Sequence, residues 1–508
     1  MKQEIEQVVT RAVKTLFGAE VSVELTRPDE QFGDFATNIA LQLSKQLGKN
    51  PREIADALQA ALAKQSYETS VAGPGFLNIR ISGERLRAEL STIVDSHGSY
   101  GASSRYKDQV VVTEYSDPNP FKVLHAGHLY TSVVGDAIAS LFETAGAKVH
   151  RVNFGGDVGM HVGKTLWAIT KRLGGEYPEK LAEVPEDTRS EWMAEAYVEG
   201  NNTYEDDETA KTEMVALNKQ VYAFHEHNDH DSPLAQIYWT CRSWSYEYFD
   251  AFYARIGSHF EKYYPESETA GIGLETVKQH IPDVFQESDG AIVFKGDEHG
   301  LHTRVFINRE GIPTYETKDV GLIFKKWEDY HFDKSVVITG NEQEQYMAVV
   351  LKAIEQFAPE LAQKTAHLTH GIVKLAGGVK MSSRKGNILR AVDVLSFAAE
   401  ANKTATGNED EHVVLGAVKY AFLRPRMGGD IIYDPNESVS LQGNSGPYLQ
   451  YAHARAANIL KKATNQPGST YDRELNDSER SLVRKLTEYP EVIDKALDDM
   501  LPHHICTY

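Results

Sequence analysis

The sequence predicts an α/β fold in which a parallel-sheet domain follows a small α+β domain and precedes an all-helical domain. A chain of 508 residues is too long for one hydrophobic core. Between residues 109 and 153 the patterns run strand, loop, helix, strand, which is the order of a parallel βαβ unit. From His412 onward the apolar spacing is helical. We place the domains at residues 1–105, 106–390 and 391–508, with an insertion at about 170–300.

Composition and charge exclude several classes of protein. Apolar runs such as residues 347–351 are far shorter than a membrane span, so we expect no membrane association. The N-terminus lacks the apolar segment of a secretory signal. The two cysteines, Cys241 and Cys506, suit a reducing cytoplasm rather than a disulfide scaffold. A net charge of -20 argues against attraction of nucleic acid to the whole surface, but not against a local basic groove.

The first hundred residues carry the patterns of a small α+β domain. Apolar residues recur at helical spacing over Lys2–Phe17 and over residues 38–47. Pro51 is well placed at the start of a third helix, and residues 76–81 alternate like a strand. The small and polar residues of 96–107 predict a linker to the next domain.

The second domain begins with the βαβ unit. Residues 109–115 predict a buried strand, 127–145 a helix and 148–153 the next strand, so the Pro/Asn loop after the first strand lies where such sheets bind ligands. Residues 176–213 contain thirteen Asp and Glu against three Lys and Arg, which favours a solvated helical segment. Basic residues cluster in the helical region, at Arg455, Lys461, Lys462, Arg473, Arg480, Arg484 and Lys485.

The strongest local motif is His125-Ala126-Gly127-His128, at the end of the Pro/Asn loop. A helix N-terminus favours anions, and imidazole N–H groups can donate to phosphate oxygens as charge develops on them. Gly127 leaves room for an adenine against the backbone. A metal pair or two unrelated surface histidines would explain the same residues, although no third ligand follows at the usual spacing.

A second motif, Lys380-Met381-Ser382-Ser383-Arg384-Lys385, follows a turn of two glycines. Its three cations, in a loop flanked by glycine, could stabilise a pyrophosphate leaving group in the transition state. Taken alone, such a segment is equally typical of a solvated basic turn.

Together, an early HxGH and a late KMSxx resemble the paired signatures of class I aminoacyl-tRNA synthetases. Other motifs are similar to those of the arginyl-tRNA synthetase family, namely the run Glu114 to Lys122, Tyr315-x-Thr-x-Asp319, the Gly156-Asp157-Val158-Gly159 turn, and residues 443–452, 34–38 and 74–78. The resemblance covers essentially the whole chain. It implies a Rossmann-like catalytic domain, an additional N-terminal domain that contacts the tRNA elbow and a helical anticodon-binding domain.

The resemblance also implies an arginine site formed by Glu114, Asp117, Asn119, Tyr315, Asp319 and Gln343. A guanidinium group is a planar cation with five donors, which the carboxylates of Glu114 and Asp319 and the phenol of Tyr315 would match. Asn119 and Gln343 would lie near the α-amino end. Asp117 stands where the family commonly has a small residue, and it either adds negative charge or caps the loop. Without the resemblance, Glu114 would be assigned to a surface salt bridge at a strand end.

By the same resemblance, ATP would contact His125, Gly127, His128, Gly371, Ile372, Val373, Lys380, Met381 and Ser382, with the 371–373 backbone along the adenine. Ser383 stands where the family motif has its second lysine, so Arg384 or Lys385 would supply that charge. Lys122 occupies a position where a lysine compensates for a poor second motif in many members. The implied catalytic residues are Lys122, His125, His128, Lys380, Ser383, Arg384 and Lys385. Which cation meets pyrophosphate is open, and our hypothesis is that Lys122 contributes most.

The implied reaction is attack of the arginine carboxylate on the α-phosphate of Mg-ATP, followed by transfer of the arginyl group from the adenylate to the terminal adenosine of tRNA. We expect L-arginine, ATP and tRNA-Arg as partners, with tRNA contacts at Asn38, Arg455 and Lys461 and activation that requires bound tRNA. We also expect the basic residues of the C-terminal helices to face RNA. We expect no metal site, no tightly bound cofactor, a monomer and a cytoplasmic location.

Two substitutions and the C-terminus depart from the family pattern. Tyr346 replaces a frequent histidine, and His161 replaces a common glutamine. The family's helical bundle normally runs further, so we expect a C-terminal truncation that impairs tRNA binding. One rival is a nucleotidylyltransferase with an HxGH motif, which needs no anticodon-binding domain. The other is a synthetase-like RNA-binding or regulatory protein that has lost catalysis.

Overall fold

The computed structural model describes residues 1–63, 67–378, 389–463 and 473–508. Its helices are α1 (Lys2–Phe17), α2 (Ile39–Leu47), α3 (Pro51–Ala63), α4 (Gly83–Asp95), α5 (Ala126–Thr144), α6 (Met160–Leu173), α7 (Arg189–Asp206), α8 (Glu208–Glu226), α9 (Pro233–Ile256), α10 (Glu266–Gln279), α11 (Tyr315–Tyr330), α12 (Glu344–Glu355), α13 (Pro359–Lys364), α14 (Ala391–Thr406), α15 (Glu411–Leu423), α16 (Pro435–Ser438), α17 (Gly446–Lys462), α18 (Asp477–Leu486), α19 (Tyr489–Asp499) and α20 (His503–Thr507).

The strands of the same ranges are β1 (Phe35–Thr37), β2 (Glu68–Ala72), β3 (Phe76–Arg80), β4 (Val110–Glu114), β5 (Lys148–Gly155), β6 (Lys262–Pro265), β7 (Gln286–Ser288), β8 (Ala291–Phe294), β9 (Arg304–Ile307), β10 (Lys334–Gly340), β11 (Thr365–His370), β12 (Val373–Leu375) and β13 (Ile431–Tyr433). The chain forms two compact units, one of Met1–Gly101 with Lys462–Val492 and one of Ala102–Lys461 with Ile493–Tyr508. None of the helices within the described ranges is long and apolar enough to span a membrane.

The first unit is a small α+β structure, as predicted. Strands β1, β3 and β2 form an antiparallel sheet in that order. The predicted helix Lys2–Phe17 is confirmed; it buries Ile5, Val9 and Val13 and ends at Gly18, whose φ of 64° only glycine adopts without strain. Helix α18 packs against α4 and contributes Val483 to the same core. A segment near the C-terminus therefore completes the N-terminal core.

The second unit is built on a parallel sheet in the order β11-β10-β4-β5-β6. The predicted βαβ unit is confirmed as β4, α5 and β5. The chain runs outward from β4 through β5 to β6 and later adds β10 and β11 on the other side of β4. The strand order therefore reverses between β4 and β10, which is where a parallel sheet opens a crevice beyond the carboxyl ends of its strands.

The first part of the insertion is helical, and its helices share a core with residues of the catalytic domain. Helices α6, α7, α8 and α9 bury residues that include Leu166, Met193, Val221 and Tyr238. The acidic residues 205–208 are exposed, which confirms the prediction of a solvated helical segment there. Since each helix buries one apolar face, the acidic side chains are left on the solvent side.

Two short sheets differ from the sequence prediction. Strands β7, β8 and β9 form an antiparallel sheet that the patterns did not predict. Strand β13 lies within the predicted helical region and pairs in parallel with β12. Strands of three or four residues are too short to show a hydrophobic period, so their partners decide them.

Candidate active site

The histidine motif caps the N-terminus of α5. The Nδ1 atom of His125 accepts hydrogen bonds from the backbone N–H groups of Gly127 at 3.1 Å and His128 at 3.3 Å. The Nδ1 atom of His128 accepts from the His125 N–H at 3.1 Å, and the two rings stack at 3.6 Å between centroids. Because a neutral imidazole that accepts at Nδ1 carries its proton at Nε2, both rings present an Nε2–H donor.

The surroundings keep both histidines neutral. Burial lowers the pKa of His125, and the nearby Lys122 lowers it further. Burial lowers the pKa of His128 well below its ordinary value, as do His125 and Lys122. A Cβ atom at Gly127 would lie 2.9 Å from the His125 ring, so glycine lets the ring pack against the helix N-terminus. The motif is therefore a rigid pair of hydrogen-bond donors at a helix N-terminus.

Lys122 lies on the same loop and is partly covered by the insertion. Its Nζ atom lies 4.6 Å from the centroid of the Tyr197 ring, which α7 carries. Burial lowers the pKa of Lys122, whereas Glu266 raises it and Lys164 lowers it. The insertion thus covers Lys122 on one side.

The loop between β4 and α5 is held in unusual backbone conformations. Ser116, Asp117 and Phe121 have φ values of 75°, 49° and 67°, which non-glycine residues rarely adopt. Helix α9 holds the loop, because Ser116 Oγ bonds to the Tyr253 hydroxyl at 2.7 Å and the Phe121 N–H donates to Ser245 Oγ at 2.9 Å. Such strain persists only where surrounding contacts over-determine the backbone, as they commonly do at functional sites.

Three carboxyl groups gather at the end of β4. Glu114 is 2% exposed and forms an ion pair with the fully buried Lys326 of α11. Burial raises the pKa of Asp117 well above its ordinary value, and Glu114 and Asp319 raise it further. Asp117 also accepts from the Phe154 N–H at 2.8 Å, so it orders the loop. Glu114 is thus in a buried cluster and not in a surface salt bridge.

Asp319 and Tyr315 both lie in the first two turns of α11. Asp319 is 8% exposed and accepts a hydrogen bond from the Tyr346 hydroxyl of α12. Burial raises the pKa of Asp319 well above its ordinary value, and the nearby Glu114 and Glu266 raise that pKa further. Tyr315 is 61% exposed, with its ring centroid 5.1 Å from Lys318 Nζ. Tyr346, a departure from the family pattern, therefore has a defined contact in the pocket.

Asn119 faces the turn that follows β5. Its Oδ1 atom accepts from the Gly156 N–H at 2.7 Å, and His161 Nε2 bonds to the Gly156 carbonyl at 2.7 Å. Burial lowers the pKa of His161 to about 3, so this second departure acts as a neutral donor to the turn. Gln343 follows β10 in a short turn and is exposed. The two residues predicted to contact the α-amino group of arginine, Asn119 and Gln343, therefore both lie beyond the carboxyl ends of strands of the sheet.

The segment predicted to follow the adenine packs beside α5. His370 lies against Tyr130, with ring centroids 4.6 Å apart. The Ile372 N–H donates to Asp430 at 2.9 Å and its carbonyl accepts from the Ile431 N–H at 2.9 Å. Gly371 is buried, and a Cβ atom there would lie 2.4 Å from the 429–430 backbone.

Part of the predicted site lies outside the described residues, namely Lys380, Met381, Ser382, Ser383, Arg384 and Lys385. The next described residues, Leu389 and Arg390, pair with the start of the histidine motif. The Ala126 N–H donates to the Leu389 carbonyl at 2.7 Å, and the Ala391 N–H donates to Leu124 at 2.9 Å. Residues 389–391, which come soon after the lysine motif, are therefore hydrogen-bonded to residues 124–126 at the histidine motif.

The predicted tRNA contacts are exposed, but part of the basic cluster is not. Asn38 lies just before α2, and Arg455 and Lys461 lie along the exposed α17. In the first unit, Arg480 and Arg484 form ion pairs with the buried Asp34 at 2.6 Å and 3.3 Å, and each side chain is 12% exposed. The prediction that these two arginines face RNA is wrong, because a buried carboxylate holds them.

The chain is similar to known proteins both in its fold and in its sequence. The structure of Thermus thermophilus arginyl-tRNA synthetase shares this fold, with a TM-score of 0.77 at 24% identity over 100% of this chain and 90% of that one. A family model described as the catalytic domain of class I tRNA synthetases (R) matches residues 89–425. Models for an arginyl tRNA synthetase N terminal domain and a DALR anticodon binding domain match residues 1–81 and 449–508.

Curated relatives agree with these matches. An arginine–tRNA ligase of Bdellovibrio bacteriovorus is 30% identical over 500 residues, spanning 95% of this chain and 84% of its own length. An arginine–tRNA ligase of Porphyromonas gingivalis is 27% identical over 543 residues, spanning 100% and 90%. The chain belongs to the arginyl-tRNA synthetase family of class I.

Sequence reasoning missed three charged residues of the site, Lys326, Lys318 and Glu266. Lys326 and Lys318 lie on α11 among apolar residues and are 0% and 4% exposed. Glu266 directly follows β6. β6 lies within the insertion predicted at about 170–300 and was not predicted as a strand, so the position of Glu266 at the end of a sheet strand could not be read from the sequence.

Proposed function

We propose that this chain carries out its family's reaction, arginine–tRNA ligation, at the carboxyl edge of the five-stranded sheet. Arginine reacts with ATP to give arginyl-adenylate and pyrophosphate, and the arginyl group then passes to the terminal adenosine of tRNA-Arg. The observation that carries this assignment is the buried carboxylate cluster of Glu114, Asp117 and Asp319 beside a neutral histidine pair. The carboxylate cluster suits a cationic ligand, and the histidine pair suits phosphate.

The carboxylate cluster supports the guanidinium end of the site. Within the described part of the chain, Lys326 pairs with Glu114, while the pKa values of Asp117 and Asp319 are raised well above their ordinary range. A bound guanidinium group would stabilise the ionised forms of these two carboxyl groups and would donate several hydrogen bonds in a fixed plane. The compact ammonium of lysine could not match that geometry, which supports selection of arginine.

The histidine motif supports the phosphate end. The two Nε2–H donors, the N-terminus of α5 and Lys122 would stabilise the charge that develops as pyrophosphate leaves. No covalent intermediate is needed, because positioning and electrostatic stabilisation supply the rate. We propose ATP as its magnesium complex, further cations from residues 380–385 and the adenine beside residues 371–373.

The second substrate is tRNA-Arg, in accord with the DALR match at residues 449–508. We propose contacts at Asn38, Arg455 and Lys461, which are exposed. We also propose a monomer that acts in the cytoplasm. The anticodon-binding match argues against a simple nucleotidylyltransferase, and the intact Glu114, Lys122 and histidine set argues against a protein without catalysis.

The deciding experiment is arginine-dependent exchange of pyrophosphate into ATP, with and without tRNA-Arg. We expect exchange with arginine and tRNA together, and none when lysine or citrulline replaces arginine. Glu114→Gln should raise the KM for arginine at least about tenfold, since a charged hydrogen bond is lost. A folded protein that shows no arginine-dependent exchange in the presence of the tRNA would overturn the proposal.

A further inference from the structure

Lys326 is a buried cation beside the carboxylate cluster, and the proposed reaction does not yet give it a role. It lies on α11, is 0% exposed and forms an ion pair with Glu114. Its Nζ atom also donates to Ser335 Oγ at 3.1 Å. Burying an ammonium group costs free energy, and an apolar residue of similar volume is often as stable at such a position. The use of lysine here therefore requires a reason other than packing.

The strand register places Lys326 on the side of Glu114 that faces away from the pocket. In the parallel pair of β4 and β10, Glu114 lies opposite Val337, and Ser335 lies two residues before Val337. Ser335 is therefore nearer the amino end of the sheet than Glu114 by about 7 Å along the strands. Ligands bind beyond the carboxyl ends of parallel strands. A lysine that bonds to both residues thus reaches the carboxylate from the amino-end side.

The Glu114 carboxylate keeps one oxygen for a further donor. Among the described residues, its side-chain hydrogen bond runs from Lys326 Nζ to Oε2. Glu114 is 2% exposed, and a buried carboxylate is stable only when both of its oxygens have donors. The Oε1 atom is therefore available to a planar guanidinium group, which has five N–H donors.

The charge of Glu114 acts on the pocket even though Lys326 is paired with it. Burial raises the pKa values of Asp117 and Asp319, and the negative charge of Glu114 is the next largest influence on both. The positive charge of Lys326 lowers these two pKa values by less. A lysine between Glu114 and the two carboxyl groups would screen them, so this order agrees with a lysine on the far side.

We propose that Lys326 is a positioning residue that keeps the Glu114 carboxylate charged and oriented with Oε1 toward the guanidinium group of the substrate. The inference rests on the proposed function, which places that group at Glu114 and Asp319. Lys326 does not touch the substrate and acts through the carboxylate. A buried carboxylate without a counter-ion takes up a proton and then forms no charged hydrogen bond. Lys326 therefore determines the preference for a cationic side chain over a neutral one of the same shape.

The test compares arginine with citrulline, its neutral analogue of the same shape, in the intact protein with tRNA-Arg present. Arginine is measured by its KM in pyrophosphate exchange, and citrulline by its inhibition constant against arginine. Lys326→Met should raise the KM for arginine at least about tenfold, with kcat changed less than about threefold, and should change inhibition by citrulline less than about twofold. Lys326→Arg, which keeps a cation, should hold the KM for arginine within about threefold of the wild-type value.

Lys325→Met is the matched control. Lys325 precedes Lys326 on α11 and forms ion pairs with Glu328 and Asp329, both at 2.9 Å. The control removes a lysine and its ion pairs from the same helix without touching Glu114. Both the KM for arginine and the inhibition constant of citrulline should therefore stay within about twofold. Thermal unfolding of each variant separates a binding defect from misfolding.

Equal weakening of arginine and citrulline by Lys326→Met would assign Lys326 a structural role and overturn the proposal. Unchanged or tighter binding of arginine would overturn it as well, since the ammonium group would then only repel the substrate cation. Wild-type protein that shows no arginine-dependent exchange would instead overturn the proposed function, so the two failures are distinguishable.

A second variant keeps the proposal testable if Lys326→Met does not fold. Ser335→Ala removes the hydroxyl that binds Lys326 Nζ but leaves both charges of the ion pair. We expect the KM for arginine to rise about fivefold, because Glu114 alone then holds the lysine, while inhibition by citrulline stays within about twofold. A KM for arginine that remains at the wild-type value would contradict the assignment.

Discussion

Asp319 is a carboxyl group whose surroundings favour its protonated form. Burial raises its pKa well above the ordinary value, and Glu114 raises it further. A carboxyl group with a raised folded-state pKa stabilises the fold fully below its unfolded pKa, and that contribution is lost as the pH rises through the folded pKa. The pocket therefore trades stability near neutral pH for a binding site, as functional sites commonly do.

We predict that Asp319→Asn is more stable than wild type at pH 8 and that the difference shrinks at pH 5. The amide cannot ionise, yet its oxygen can still accept from Tyr346. The same variant should raise the KM for arginine at least about tenfold at pH 8, because a charged hydrogen bond is lost. Thermal unfolding at the two pH values and pyrophosphate exchange check this. If Asp319→Asn were less stable than wild type at pH 8, the predicted direction of the stability change would be wrong.

Tyr346 provides a second prediction for a single residue. Its hydroxyl donates to Asp319, so Tyr346→Phe removes one donor from a buried carboxylate. We expect the KM for arginine to rise about tenfold with kcat changed less than about threefold, as for an interaction made equally in the ground state and the transition state. Tyr177→Phe, at a tyrosine that is 47% exposed, is the control. A fall in kcat without a change in KM would count against this role.

At the scale of elements, helix α7 of the insertion reaches the catalytic loop through one ring. Tyr197 lies over Lys122, and a cation–π contact of about 1 kcal/mol corresponds to about fivefold in rate if it holds the lysine in place. We expect Tyr197→Ala to slow pyrophosphate exchange about fivefold and Tyr197→Phe to stay within about twofold. Lys122→Ala should slow pyrophosphate exchange more than either Tyr197 variant. If Tyr197→Phe slows exchange as much as Tyr197→Ala, the aromatic ring does not hold Lys122 in place.

Helix α18 is joined to the N-terminal fold by a buried ionic cluster. Asp34 is 2% exposed, pairs with Arg480 and Arg484, and accepts from the Ile81 N–H at 2.6 Å. Removing one member of such a cluster leaves buried charges unpaired, at a cost of about 3–5 kcal/mol. We therefore expect Asp34→Ala to lower the free energy of unfolding of this unit by that amount. The exposed Asp29→Ala should cost less than about 0.5 kcal/mol in the same urea titration.

At the scale of the whole molecule, a net charge of -20 would repel the phosphates of a tRNA partner. We propose that the local cations on α17 bind those phosphates in spite of the overall charge. Arg455 and Lys461 are exposed there, and each phosphate contact contributes about 0.7–0.9 to the slope of log affinity against log salt. The double variant Arg455→Ala/Lys461→Ala should weaken tRNA-Arg binding and lower that slope by about 1–2. Lys148→Ala/Arg309→Ala, at exposed positions elsewhere, should leave both unchanged.

The predicted division at residues 105 and 390 stays a prediction. The two compact units instead join residues 462–492 to the N-terminal domain. Composition and periodicity follow the chain locally, so they could not indicate that α18 completes a core formed four hundred residues earlier. Contacts between residues far apart in the chain decide this packing, because Val483 lies in the N-terminal core and Arg480 and Arg484 pair with Asp34.

The sequence by itself determined the class of the fold, the family and the histidine motif. Each of these depends on local features: strand and helix periods, a helix N-terminus after a strand, and several motifs in a fixed order. Only the tertiary structure decided which charges meet. Lys326 pairs with Glu114 and Lys318 pairs with Glu266 because β4, β6 and α11 come together at the carboxyl edge of the sheet. Pairing between residues far apart in the chain leaves no period in the sequence, so folding alone brings the two ends of the proposed arginine site together.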